Sequence, residues 1–180
     1  MSAAADPHHA PPTMPAARHH RLLQQNGLAA IFVGLIGGFV LVSALIGGFS
    51  ASPLPLFIPF RVAGTAHGWL AFHLGMLMNG MMALVLERIL ATRAPSAAKS
   101  AAICWGIIIA VWGNGAFYLF SMFAPNRGLT SDANAFGPAS LPGHLAYFPA
   151  IAGAIGLMLA TALLLLAPPI RVEGDGGQDA

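Results

Sequence analysis

The sequence predicts an all-α integral membrane protein, a bundle of four transmembrane helices. Three observations predict it. Of 180 residues, 57% are hydrophobic and only 8% are charged, which leaves too few charges to solvate a globular surface. Uncharged apolar windows of about 20 residues, the length that crosses a bilayer, recur along the chain. Between them stand links rich in proline, glycine and charge, which stop a helix.

The elements follow in order. Residues 1–22 are rich in Ala, Pro and His, have no apolar core and read as a disordered tail. His8, His9, His19 and His20 read there as solvated side chains, with loose metal binding as the alternative. The apolar run that follows is too long for a signal peptide and lacks a cleavage site. The first span covers about Gly27 to Phe49 without a charge. Its glycines, Gly34, Gly37, Gly38, Gly47 and Gly48, let helices pack closely in lipid, where packing drives association. Ser50 to Gly64 holds Pro53, Pro55, Pro59 and Arg61 and reads as a loop in the membrane interface.

The second span runs from Ala66 to Leu86 and ends at Glu87-Arg88. A short polar link, Ala91 to Lys99, leads to the third span, Ser100 to Phe123. Ala124 to Pro142 is a long, turn-rich connection, and such connections are often functional. The fourth span runs from His144 to Leu166, with Pro149 expected to kink it and Pro168-Pro169 ending it. Residues 169–180 read as a second disordered tail. The membrane domain is thus 23–168.

Charge sets the expected topology. Arg18, Arg21, Arg88, Arg93, Lys99 and Arg171 fall on the side of the termini, and Arg61 and Arg127 on the other. The positive-inside rule places both termini in the cytoplasm. The net charge of +2 is scattered, which argues against a nucleic-acid partner. Cys104 is the single cysteine. It excludes an internal disulfide or a thiolate cluster and reads as a small buried hydrophobe.

The chemistry concentrates in His67 to Met82, an apolar helix carrying two histidines, an asparagine and four methionines. Polar side chains inside a bilayer are costly and mark functional sites. At about 1.5 Å per residue, His73 lies roughly 10 Å below the outer start of its helix and Tyr118 roughly 7 Å below the outer end of the next. The two are expected to share a layer, with Asn79 and Asn114 sharing a deeper one, all lining one pocket. His73 has no acidic or thiolate company for a bare Zn²⁺, which takes four ligands from protein or water. Haem iron needs only one imidazole. Interhelical hydrogen bonding is the plainer reading for His73, Tyr118, Asn79 and Asn114 alike. Met76, Met78, Met81 and Met82 read as packing. His67 and His144 read as interfacial, and Arg127 as a helix cap or a partner for a carboxylate.

Three blocks carry a resemblance. The first is Gly68-Trp69, Ala71-Phe72-His73 and Leu77-Met78-Asn79-Gly80-Met81-Met82. The second is Trp112-Gly113-Asn114 with Phe117-Tyr118-Leu119-Phe120-Ser121. The third is Pro125-Asn126-Arg127-Gly128-Leu129-Thr130, followed by Asn134-Ala135-Phe136-Gly137-Pro138. Together they make residues 27–166 resemble the styrene oxide isomerases, small four-helix membrane proteins of bacterial styrene degradation. The resemblance implies haem b at a subunit boundary of a homotrimer, with His73 as axial iron ligand and Asn79 and Tyr118 lining the epoxide site. It implies a Meinwald rearrangement, aryl epoxide to aldehyde, with an apolar substrate entering from the lipid bilayer. A non-enzymatic b-type haem protein carrying electrons is the alternative. The family pattern has an aspartate two positions before Trp-x-Asn, where this chain has Ala110. That exchange leaves open which group would stabilise a developing cation.

Overall fold

The computed structural model describes residues 14–170. It contains α1 (Met14–Ile46), α2 (Ala66–Ala91), α3 (Ala97–Ser121) and α4 (Leu141–Leu166), with a small antiparallel hairpin, β1 (Gly48–Ser50) and β2 (Phe57–Pro59), after α1. All four helices are long and apolar enough to cross a membrane. The chain is a multi-pass, all-α membrane protein.

Local sequence explains the helix starts. Thr65, Ser96 and Ser140 are N-caps whose hydroxyls accept from the backbone N–H of Gly68, Lys99 and Gly143, satisfying donors that the first turn leaves orphaned. Pro142 sits in the first turn of α4, where its missing N–H costs nothing. Pro149 lies inside α4, and the helix runs continuously through it from Leu141 to Leu166.

Small residues set the packing. α1 lies along α2 where a side chain at Gly27 would strike Leu84, and one at Gly80 would meet the Gly27 carbonyl at 2.6 Å. α3 lies along α4 in the same way. A Cβ at Gly106 would lie 2.5 Å from the Gly156 carbonyl, and Gly113 lies against the Pro149 carbonyl. Half of the apolar window of α3 is buried, against 17% for α1 and for α4. α3 is therefore the central helix, and the outer faces of α1 and α4 are left for lipid or for further copies.

Three expectations change. α1 begins at Met14, so its first turns replace part of the tail expected at 1–22. At about 1.5 Å per residue its 33 residues extend well beyond a hydrocarbon core of about 30 Å. His19 and His20 are consequently not solvated tail residues. His19 Nδ1 lies 2.9 Å from Ser100 Oγ. His20 donates Nδ1–H to Glu87 Oε1 at 3.0 Å, and Gln24 Nε2 donates to the same oxygen at 3.2 Å. These donors explain how Glu87 stays buried, since an unpaired buried carboxylate is costly. His8 and His9 lie outside the described residues.

Ser50 to Gly64 is not wholly irregular, because Phe49 pairs with Ile58 across the hairpin. Leu54, Leu56, Phe57 and Ile58 all stay exposed there, which suits the apolar side of an interface. At the opposite end the start of the second tail is ordered. Ala94 N–H donates to Pro168 O, Ile170 N–H to Thr92 O, and Arg93 Nη1 to Ala167 O, clasping the end of α4 to the α2–α3 link. Arg171 to Ala180 lie outside the described residues.

Candidate active site

His73 lies on α2 against α1. Its Nδ1 is 2.7 Å from the carbonyl oxygen of Gly34. A carbonyl only accepts, so Nδ1 carries the hydrogen and Nε2 keeps its lone pair. The ring occupies a notch cut by glycine. A Cβ on Gly38 would lie 2.9 Å from both Cε1 and Nδ1 of the imidazole. Next to it Phe72 fills the corresponding space over Gly37, with Trp69 edge-on to it at 5.7 Å.

The opposite side of α2 faces α3. Asn79 is buried and donates Nδ2–H to the carbonyl of Gly75 at 2.8 Å. Its Oδ1 accepts from Asn114 Nδ2 at 2.9 Å. One turn nearer the hairpin end of the bundle, the ring of Tyr118 lies directly on Gly75, in space that a Cβ there would fill. The contact partners thus form a four-cornered unit: Gly75 and Asn79 one turn apart on α2, Tyr118 and Asn114 one turn apart on α3.

Tyr118 lines a cavity of about 620 Å³ at this end of the bundle. Thr65, His67, Ser121 and Arg127 contribute polar groups, while Phe117, Met122 and Leu129 contribute apolar ones. The size is ordinary for a small-molecule site. The Tyr118 hydroxyl has no hydrogen-bond partner among the described residues, although a part-buried phenol normally finds one. It remains available to a bound molecule.

The expected layer of paired amides is present. The expected single pocket is not. Neither His73 nor Asn79 lines the cavity that holds Tyr118. At about 100° per residue, His73 points some 160° away from Gly75 around α2. Asn79, 5% exposed, lies deeper between the helices, where a Cβ on Gly115 of α3 would lie 2.8 Å from Met76 Sδ. Within one chain the imidazole and the phenol serve different faces of α2.

The third sequence block is mainly architecture. Asn126 is fully buried. Its Nδ2 donates to Thr130 O and Asp132 O, each at 3.0 Å, and its Oδ1 accepts from Gly128 N–H at 3.1 Å. Asn134 Nδ2 returns a bond to the Asn126 carbonyl at 3.0 Å. Folding the loop around Asn126 puts Arg127 at φ +56°, a left-handed conformation uncommon for a residue other than glycine. The Arg127 guanidinium stacks 4.3 Å from the centre of the Phe136 ring and faces the cavity. Sequence reading assigned Asn126 no role; asparagine between proline and a left-handed pair was the available signal. His144 sits at the start of α4, tilted against Phe148 at 6.0 Å.

Ala110 is buried in the α3–α4 seam. A Cβ on Gly153 would lie 3.0 Å from its Cα. The position where the resemblance expects an aspartate therefore packs against α4 and does not line the Tyr118 cavity.

No three His, Cys, Asp or Glu side chains converge as a metal site among the described residues. A macrocycle that brings its own nitrogens fits His73 better. Its Nδ1–H is held by a carbonyl, its Nε2 has no hydrogen-bond partner among the described residues, and metal-ligating histidines are commonly oriented by such a bond.

These features define a multi-pass four-helix membrane protein with an oriented histidine and an amide–phenol unit on opposite faces of one helix. A protein-family model described as styrene oxide isomerase matches residues 19–168. Styrene-oxide isomerase of Pseudomonas fluorescens is 37% identical over 130 residues, covering 72% of this chain and 76% of that protein. The chain belongs to the styrene oxide isomerase family and is an isomerase.

Proposed function

We propose that the protein converts aryl epoxides to aldehydes, styrene oxide to phenylacetaldehyde, in a haem-dependent Meinwald rearrangement. The observation that carries the reading is the 2.7 Å contact between His73 Nδ1 and the Gly34 carbonyl. In a chain of this family, an imidazole inside the membrane holds Nδ1–H on the Gly34 carbonyl and keeps Nε2 free for iron.

His73 would hold haem b. Held there, ferric haem would supply Lewis acidity toward the epoxide oxygen. In the overall reaction the benzylic carbon–oxygen bond breaks, hydride shifts to that carbon from its neighbour, and the oxygen becomes the aldehyde oxygen. Atoms and electrons balance without a co-reactant.

The chain's own residues orient and protect. Tyr118, with its unpaired hydroxyl, donates to the epoxide oxygen and fixes its position. The free N–H of Asn79 does the same from the deeper layer. Phe117, Met122 and Leu129 line a wall that excludes water, which would otherwise trap the benzylic cation as a diol. Arg127 and His67 at the cavity supply the groups to meet carboxylates of the macrocycle.

The imidazole of His73 and the ring of Tyr118, which packs on Gly75, lie at different faces of α2, which favours a site closed at a subunit boundary. We place haem there in a homotrimer, where the His73 face of one protomer meets the Tyr118 face of its neighbour. The membrane is the bacterial inner membrane with both termini cytoplasmic. Arg18, Arg21, Arg88, Arg93 and Lys99 at one end against Arg61 and Arg127 at the other support that orientation. An apolar epoxide then reaches the site through lipid.

The test is direct. Protein purified in detergent with bound haem should turn styrene oxide into phenylacetaldehyde. Bound haem without aldehyde would refute the isomerase reading.

A further inference from the structure

The amide pair between α2 and α3 reaches beyond this reading. A side-chain amide has one oxygen and two N–H groups. In Asn79 the oxygen is taken by Asn114 Nδ2 at 2.9 Å, and one N–H by the Gly75 carbonyl at 2.8 Å. One N–H is left. Rotating the amide by half a turn would set its oxygen against the Gly75 carbonyl and its NH₂ against the NH₂ of Asn114. Both contacts would be repulsive, so the pair of bonds fixes which N–H of Asn79 stays unpaired. Helix backbone supplies one bond. Asn114 alone supplies the other, and it is the only one of the two that a substitution removes cleanly.

We propose that Asn114 is a positioning residue of the isomerisation, holding the Asn79 amide so that its one free N–H is presented to the epoxide oxygen. The inference rests on the proposed reaction. It assigns Asn114 no contact with substrate, and it sets Asn114 apart from ordinary interhelical adhesion. Adhesion needs only some hydrogen bond across the helices. Orientation needs a donor at position 114, because Asn79 must receive a bond at Oδ1.

That distinction gives the experiment. The full chain, purified in detergent with haem, is assayed with styrene oxide as wild type, Asn114→Leu, Asn114→Asp, Asn79→Ala and the double variant Asn79→Ala/Asn114→Leu. Melting and the haem absorption spectrum are recorded for each. Asn114→Leu should lower kcat by up to roughly a hundredfold with KM and the haem spectrum unchanged. The double variant should be no slower than Asn79→Ala alone, because a residue acting through another adds nothing once that other is gone. Asn114→Asp keeps the shape and decides the matter if Asn114→Leu folds poorly. Its protonated carboxyl can donate to Asn79 Oδ1 and its carboxylate cannot, so its kcat should rise toward wild type as pH falls, with no matching change in the wild type.

Wild-type kcat in Asn114→Leu, losses that multiply in the double variant, or a flat pH profile for Asn114→Asp would each overturn the assignment. An inactive, haem-loaded wild type would instead refute the underlying reaction, and the positioning role with it.

Discussion

The two faces of α2 are built for opposite purposes. On the α1 side, His73 uses one nitrogen to grip a carbonyl and leaves the other without a partner among the described residues. On the α3 side, Asn79 has all but one of its hydrogen-bonding atoms committed. The first face is arranged to give away an electron pair. The second is arranged to hold a shape and offer one donor. Each depends on a glycine: Gly38 makes room for the imidazole, and Gly75 makes room for the ring of Tyr118. The lesson is a division of labour. The residues proposed to bind the cofactor and those proposed to orient the substrate sit on opposite sides of one helix, so a fault in one need not reach the other.

The matched glycines test that separation. Gly75→Ala has the larger expected effect on turnover. Its methyl group enters the space of the Tyr118 ring and pushes it into the cavity. We expect kcat for styrene oxide to fall by up to roughly a hundredfold, with the haem spectrum as in wild type. A changed spectrum would mean that the two faces are coupled. Gly38→Ala is the counterpart with the smaller effect. Its methyl group would crowd Nδ1 and Cε1 of His73 and turn the ring off the Gly34 carbonyl. Loss of such an orienting bond should weaken haem binding by roughly tenfold, measured by haem titration, while protein saturated with haem keeps most of its kcat. Unchanged haem affinity would show that the notch does not govern the ligand.

The helix count was legible in the sequence because four uncharged windows of membrane length leave little choice. Glycine spacing likewise announced close packing, though not the partner of each glycine. Asn79 and Asn114 were legible as a layer, since depth follows from rise per residue. Their separation from His73 was not. Depth says nothing about azimuth, and azimuth depends on which neighbours α2 packs against. The same limit hid His19 and His20. A polar, alanine-rich stretch reads as a tail until a buried carboxylate such as Glu87 and a hydroxyl such as Ser100 give it partners. Asn126 was unreadable for another reason. Its bonds run to backbone groups of a loop whose shape they themselves create. Ala110 was legible only as a departure, and its place against Gly153 shows that the departure falls in a helix seam.

The central claim is that His73 holds the group that carries the chemistry. The most direct measurement is the absorption spectrum of the purified, haem-supplemented protein beside its His73→Ala variant. The wild type should show a ferric haem spectrum, and the variant either no bound haem or a changed spin state, with aldehyde formation lost. An unchanged spectrum in the variant would contradict the claim.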